Sequence, residues 1–500
     1  MKRAEQPFDR AEVESLIAAI GTPGEAAALS ALVAAAKGKA AREYMEAALS
    51  RDRMYAALHS EEPKTRKNAA RLIGAFEKEQ DAPALIAALD AEATRFVRPS
   101  LLLALGAAGG EKARKYLAAL PEPVAADETE EKHAREEADA LRRARARLSD
   151  AELHAFSGFS KEHGALLRAP RGFAPLLKEE LTGLGVRARS AGADDLFLHV
   201  KALDTLFQAR CFFELLFPLA HDIPGKPAAV ADAVKEPMLA LLRDGLAGNP
   251  PYGYRVECPD IPERAAFISA LANALDGATL TNNPSRYEAE LRLTMQQNGM
   301  LNAVCKITAI PDERFSYRKR ALPASMHPAT AACVARCAAG LVKDVRRVLD
   351  PFCGSGTLLI EWSKLRPKSL LTGVDISRGA LDIARENCAA ANVRAGLVNA
   401  DSANFTARER YDLVLSNLPF GNRVGTHAEN ERLYAALIKN LPHWLTPGGV
   451  AVLYTMEYTL LSKCIKAEPR LTRIYETRTE AGGLTPWVIA VRNLKMNNEQ

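Results

Sequence analysis

Two short strings, Asp350-Pro-Phe-Cys-Gly-Ser-Gly-Thr357 and Asn417-Leu-Pro-Phe-Gly421, hold the residue types from which a group-transfer site could be assembled. The first reads as a strand ending in an acid, followed by a turn through two glycines into a helix. Glycine is required where backbone must approach a ligand with no Cβ in the way. The string lacks the Gly-Lys-Ser/Thr of a P-loop and the Gly-x-Gly-x-x-Gly spacing, so nucleoside triphosphates and dinucleotides are disfavoured. A carboxylate where phosphate would otherwise sit suits a cationic or zwitterionic ligand. S-adenosylmethionine, with its sulfonium and α-ammonium groups, is one. The contacts expected for it are Asp350, Phe352, Cys353, Gly354, Ser355, Gly356 and Thr357 in the loop, and Asp375 with Ile376 at the end of the next strand. Asp375 is placed to accept both ribose hydroxyls. Asp401 with Ser402, after a third strand, is placed to receive the adenine amino group, and Asn417 closes the set. Cys353 reads as a packing residue rather than a nucleophile, because no histidine stands near it in sequence.

The second string follows a buried strand, Asp412-Leu-Val-Leu-Ser, and suits methylation of an exocyclic aromatic amine. Such an amine is a poor nucleophile because its lone pair is delocalised into the ring. Asn417 Oδ1 and the Leu418 carbonyl can accept its two hydrogens, drawing the nitrogen toward sp³. Pro419 stiffens the turn, and the Phe420 ring offers a face for a base to stack upon. No strong general base is needed, so the catalysis expected of Asn417, Leu418, Pro419 and Phe420 is positioning and electrostatics. A second string, Asn249-Pro-Pro-Tyr-Gly253, matches the commonest form of this clamp letter for letter. No buried strand feeds it, and a motif counts only in its structural context, so it reads as a helix-to-strand loop.

These strings need elements to hold them. From Val345 onward, candidate strands at 345–349, 370–374, 394–398, 411–415 and 450–455 alternate with helical stretches, the layout of a doubly wound α/β domain with ligands at the carboxyl ends of its strands. The preceding segment, 151–320, alternates shorter strands and helices, with an Asn298-Gly299 hairpin signal. From the start to about Pro121 the chain is rich in Ala and Leu at helical spacing. Within this stretch Thr65–Gly74 aligns with Val97–Gly106 at a shift of 32 residues, as in HEAT-type helical repeats. The charged run Asp127–Arg147 reads as a linker or exposed helix. The expectation is therefore a multidomain chain: a HEAT-like α-helical repeat at 1–150, an α+β middle at 151–320 and an α/β Rossmann-like domain at 321–500.

Composition narrows the classes. No apolar run in these 500 residues approaches the roughly 20 needed to span a bilayer. The start lacks the apolar core of a secretory signal. The eight cysteines are scattered, with no Cys-x-x-Cys pair, so a reduced, cytoplasmic, metal-free protein is expected. A formal net charge of +5 permits a polyanionic partner without demanding one.

The two strings together, with the cofactor half first, resemble the RNA amino-methyltransferases that carry a THUMP domain. Leu167-Arg-Ala-Pro-Arg-Gly172 and the helix after it match the opening of that family's ferredoxin-like and THUMP modules. Asn-Leu-Pro-Phe-Gly looks most like the tRNA guanine-N2 methyltransferases, whereas an Asn-Pro-Pro-Tyr clamp also serves ribosomal-RNA and adenine enzymes. The resemblance implies S-adenosylmethionine as cofactor, guanine N2 in RNA as acceptor and tRNA as partner, with ribosomal RNA, adenine N6 or an idle RNA-binding scaffold as alternatives. Arg314, Tyr317, Arg318, Lys319 and Arg320, basic with interleaved aromatics, would hold the phosphate backbone or line the cofactor pocket. The amino-terminal repeat lies outside the usual plan of that family and would serve a protein partner or add an RNA-binding face.

Overall fold

The computed structural model describes residues 10–36, 38–125, 130–148, 153–322, 325–419, 427–480 and 483–494. The chain forms two compact units, each built from two segments: residues 1–157 with 219–309, and 158–218 with 310–500. The span expected as one middle domain, 151–320, is therefore shared between them.

In the first unit, helices run from Arg10–Ala18 to Glu131–Arg147 around one apolar core that includes Leu29, Leu72, Leu85, Leu105 and Leu117. The two aligned copies become the helices Pro63–Phe76 and Arg98–Ala108, each followed by a second helix, Ala82–Ala91 and Gly110–Ala119. Their matching glycines do the same job. A Cβ on Gly74 would lie 2.9 Å from Ala104 Cα, and one on Gly106 would lie 2.7 Å from Ala144 Cα, so each glycine lets the next helix approach. Ala144 belongs to the charged run expected as linker. The described part of that run forms the helix Glu131–Arg147, whose buried stripe includes Ala134, Ala140, Leu141 and Ala144, the last three packing into the helical core. The stripe is mostly alanine, which is why it carried little apolar signal.

The same unit continues with the helix Pro227–Gly245, strands Tyr252–Glu257, Leu280–Asn282, Ala289–Met295 and Leu301–Ile307, and the helix Arg264–Leu275. Ala289–Met295 and Leu301–Ile307 pair antiparallel. They are joined at the Asn298-Gly299 signal by a turn in which Gly299 takes positive φ (78°), closed by Gln296 and Met300. Asn249-Pro-Pro connects a helix to a strand, as its sequence context indicated.

The second unit opens with the antiparallel strands His163–Arg168 and Asp195–Val200 and the helix Ala174–Gly183. It continues into a seven-stranded sheet whose order is Ala395–Asn399, Leu370–Asp375, Arg347–Asp350, Tyr411–Asn417, Leu445–Thr455, Trp487–Asn493 and Leu471–Arg478. The first five are parallel, and Trp487–Asn493 runs antiparallel to both of its neighbours. Strand order reverses between Arg347–Asp350 and Tyr411–Asn417, so these neighbours define the point where an open α/β sheet leaves a crevice for ligand. Among the described residues no helix is long and apolar enough to cross a membrane, and no group of three or more His, Cys, Asp or Glu side chains could hold a metal.

Candidate active site

Asp350 and Asn417 end the two strands that flank the reversal. The Asp350 carboxyl is 2% exposed, and its Oδ1 accepts from Ser416 Oγ at 2.6 Å and from the Phe352 N–H at 3.1 Å. Burial pushes its pKa up to about 7; those two hydrogen bonds oppose the rise and the Asp375 carboxylate adds to it. None of the groups acting on it is cationic. A buried acid short of a positive partner is a fitting place for a cationic ligand.

The loop after Asp350 turns through Gly354 (φ 50°) and Gly356 (φ 78°), conformations that favour glycine, into the helix Thr357–Leu365. Asp375 braces this loop: its Oδ2 accepts from the Gly354 N–H at 2.9 Å, and its Oδ1 accepts from the Ser377 N–H at 2.8 Å. Ser355 Oγ lies 3.1 Å from Thr357 Oγ1 and 3.0 Å from Ser325 Oγ. The Ser402 hydroxyl donates to the Pro351 carbonyl, which ties the third strand end to the loop. Asp401 accepts from the Ala403 N–H and from Asn404 Nδ2, each at 2.9 Å. Beside Asp375, Ile376 is 72% exposed, an apolar surface against which a flat ring could rest. The described acids and glycines thus converge from three successive strand ends, an arrangement that fits a cation carrying ribose and a purine. Cys353 is buried, and a Cβ on Gly373 would lie 2.9 Å from its Sγ. Burial and the carboxylates of Asp350 and Asp375 drive its thiol pKa far upward, so it packs rather than reacts.

The clamp follows directly. The Leu418 N–H donates to the Tyr454 carbonyl at 2.9 Å, its side chain is buried, and the Pro419 carbonyl accepts from the Tyr434 hydroxyl at 2.8 Å. Asn417 Oδ1 is buried and has no hydrogen-bond partner among the described residues. A buried acceptor left open costs about 1–3 kcal/mol unless a ligand satisfies it. Phe420 lies outside the described residues.

The basic segment behaves differently from the sequence expectation. The Arg314 side chain is buried: it forks onto Asp312 and donates from Nη1 to the carbonyls of Ala209 and Phe212. Tyr317 is also buried and donates to Glu361 Oε1 at 2.6 Å, a carboxylate that Arg210 grips through Nε and Nη2. Arg314 and Tyr317 are therefore interior fasteners, not phosphate contacts. Arg318 is half-buried, whereas Lys319 and Arg320 are exposed. Sequence reasoning missed Asn387, fully buried, whose Nδ2 donates to the Ser355 carbonyl at 3.1 Å and to the Arg320 carbonyl at 3.0 Å. It also missed Ser416 and Tyr434. Ser416 gave a signal, a hydroxyl in an otherwise apolar buried strand; Tyr434 gave none.

The fold and the paired strand-end motifs define a Rossmann-type methyltransferase domain. Residues 316–486 match the family UPF0020, described as RMKL-like, methyltransferase domain, and that part of the chain is such a domain. The chain is 31% identical over 184 residues to the tRNA (guanine(6)-N2)-methyltransferase of Thermus thermophilus, covering 36% of this chain and 53% of that one. It is 23% identical over 298 residues to the tRNA (guanine(6)-N(2))-methyltransferase THUMP3 of Bos taurus, covering 50% and 56%. The chain thus spans about half the length of the curated relatives it matches. Its fold is similar to that of TrmN from Thermus thermophilus, with a TM-score of 0.52 at 23% identity, over 67% of this chain and 100% of that one.

Proposed function

We propose that this protein transfers a methyl group from S-adenosylmethionine to the exocyclic N2 of guanine in RNA, with tRNA as substrate. The observation that carries the reading is Asn417 Oδ1, a buried and open acceptor at the strand end beside the uncompensated Asp350 carboxyl. The names of the relatives support guanine N2 and tRNA. When bound, the cofactor supplies an electrophilic methyl group on a sulfonium. Asp350 provides negative charge for that cation, Asp375 stands where ribose hydroxyls would reach a carboxylate, and Ile376 offers a face for adenine. Asn417 Oδ1 and the Leu418 carbonyl accept the two amine hydrogens of guanine, which localises the nitrogen lone pair and aims it. The methylated amine then loses its proton to solvent without a dedicated base.

In the same reading the helices from Pro63 to Ala119 are HEAT-like, supported by the equivalent use of Gly74 and Gly106. Residues 151–320 supply ferredoxin-like and THUMP modules that grip RNA, and Lys319 and Arg320 hold phosphate. Eight free cysteines fit a cytoplasmic location.

The test is nucleoside mass spectrometry of unmodified tRNA and ribosomal RNA pools incubated with the protein and isotopically labelled S-adenosylmethionine. Labelled N2-methylguanosine in tRNA is the expected product. The same product only in ribosomal RNA moves the target, N6-methyladenosine overturns the base, and no label in either pool overturns the activity on RNA.

A further inference from the structure

A buried chain of hydrogen bonds ends at the Pro419 carbonyl, beside the Leu418 carbonyl of the clamp. The Glu457 N–H donates to Thr455 Oγ1 at 2.9 Å, Thr455 Oγ1 lies 2.8 Å from the Tyr434 hydroxyl, and that hydroxyl donates to the Pro419 carbonyl at 2.8 Å. The direction of the chain is forced. A carbonyl only accepts, so the one Tyr434 proton is committed to Pro419, and the Thr455 proton must then go to the Tyr434 oxygen. The amide of Glu457 only donates, so it fills the lone pair left on Thr455. Tyr434 and Thr455 are both fully buried, so no water competes for these bonds.

This chain reaches the clamp at an informative place. The peptide that carries the Leu418 carbonyl lies between two pinned neighbours. On one side the Leu418 N–H is held by the Tyr454 carbonyl, and on the other the Pro419 carbonyl is held by Tyr434. Proline fixes φ between them. The rotation of the Leu418 carbonyl is therefore set from outside the clamp, by residues 434 and 455 on a helix and a neighbouring strand end.

The geometry points to Tyr434 as a positioning residue for the transfer step, relaying orientation from Thr455 to the Leu418 carbonyl that receives an amine hydrogen of the acceptor base. The inference rests on the proposed clamp chemistry. The Tyr434 ring is part of the apolar core, so Tyr434→Phe keeps the packing and removes the relay.

The experiment compares the wild type with Tyr434→Phe, Thr455→Val and Thr455→Ser. It measures kcat on RNA per S-adenosylmethionine-binding site, so that unfolded protein does not count, and separately the dissociation constant for S-adenosylmethionine. Tyr434→Phe should lower kcat about 10- to 100-fold, the scale of a small misplacement of a reacting group, with cofactor affinity unchanged. Thr455→Val should give a smaller loss, because Tyr434 keeps its bond to Pro419, and Thr455→Ser should restore the wild-type rate. An active wild type with an equally active Tyr434→Phe overturns the inference alone, as does a parallel loss of rate and cofactor affinity, or a Thr455→Ser as slow as Thr455→Val. A wild type that methylates no RNA overturns the clamp reading and this inference with it.

Discussion

Asp350→Asn should stabilise the unliganded protein at neutral pH while weakening its hold on S-adenosylmethionine. In the native state the buried carboxyl keeps its proton up to a pKa of about 7, whereas in the unfolded chain it releases it near its ordinary value of 3.8. Between those values the native state binds more protons than the unfolded state. The contribution of this group to stability is therefore fully present below 3.8 and is lost as pH rises through 7. From pH 5 to pH 8 the wild type loses about 2 pKa units' worth, on the order of 3 kcal/mol, that an amide cannot lose. An amide in the same place carries its own fixed offset, up to about 1–3 kcal/mol if its NH₂ finds no acceptor. That offset does not change with pH, so the pH-dependent difference isolates the buried charge. The assay is thermal or urea unfolding of both proteins at pH 5, 6, 7 and 8, with calorimetric titration of S-adenosylmethionine at each pH. Stability of Asp350→Asn relative to wild type should climb across that range. Cofactor affinity of the wild type should rise with pH up to about 7 and level off, because the cation binds the ionised form. Parallel unfolding profiles of the two proteins, or cofactor binding independent of pH between 5 and 7, would refute the reasoning.

Other substitutions test other parts of the structure. Asn417→Ala should retain S-adenosylmethionine binding and lose most turnover on RNA; equal loss of both removes Asn417 from the clamp role. Gly106→Ala places a Cβ 2.7 Å from Ala144 Cα and should destabilise the helical part of the first unit by about 1–3 kcal/mol, read from urea unfolding, with cofactor binding intact. His327, at the start of the helix Pro328–Leu341, accepts from the Ala329 N–H through Nδ1, and its pKa is pushed down to about 4 by burial and by Arg318 and Arg314. Its stabilising effect is present above the ordinary value of 6.5 and is lost as pH falls toward 4, so His327→Asn should flatten the acid limb of the stability profile in that window. An unchanged acid limb would show that another group controls it.

The strand ends of the methyltransferase domain were legible because each couples a buried apolar run to one polar residue at a fixed place: Asp350, Asp375 and Asn417. The last two strands, Leu471–Arg478 and Trp487–Asn493, were not read. Thr472, Arg473, Glu476 and Arg478 interrupt the first, and the repeating strand-helix pattern gave no cue for an antiparallel pair. The run Arg314–Arg320 misled in a different way. Arginines beside aromatics look like a surface for phosphate, yet the Arg314 fork is satisfied by one carboxylate and two carbonyls, and no one-dimensional pattern says where those carbonyls are. Asn387 shows the same limit, since an asparagine inside a helix reads as solvated until the loop it supports is known.

The alternation of segments between the two units has a consequence for biosynthesis. Residues 158–218 emerge from the ribosome before 219–309, but they belong with residues 310 onward. At about 5–20 residues per second, that early segment waits roughly 5–20 s for the strands it belongs with, while the last segment of the first unit is being made. A fragment beginning at 310 would be born without Ala209, Phe212 and Arg210, leaving Arg314 with Asp312 but without its two carbonyl acceptors, and Glu361 with Tyr317 but without its arginine. A contiguous cassette beginning at 310 therefore lacks part of the second unit, which includes a stretch of sequence lying almost a hundred residues upstream.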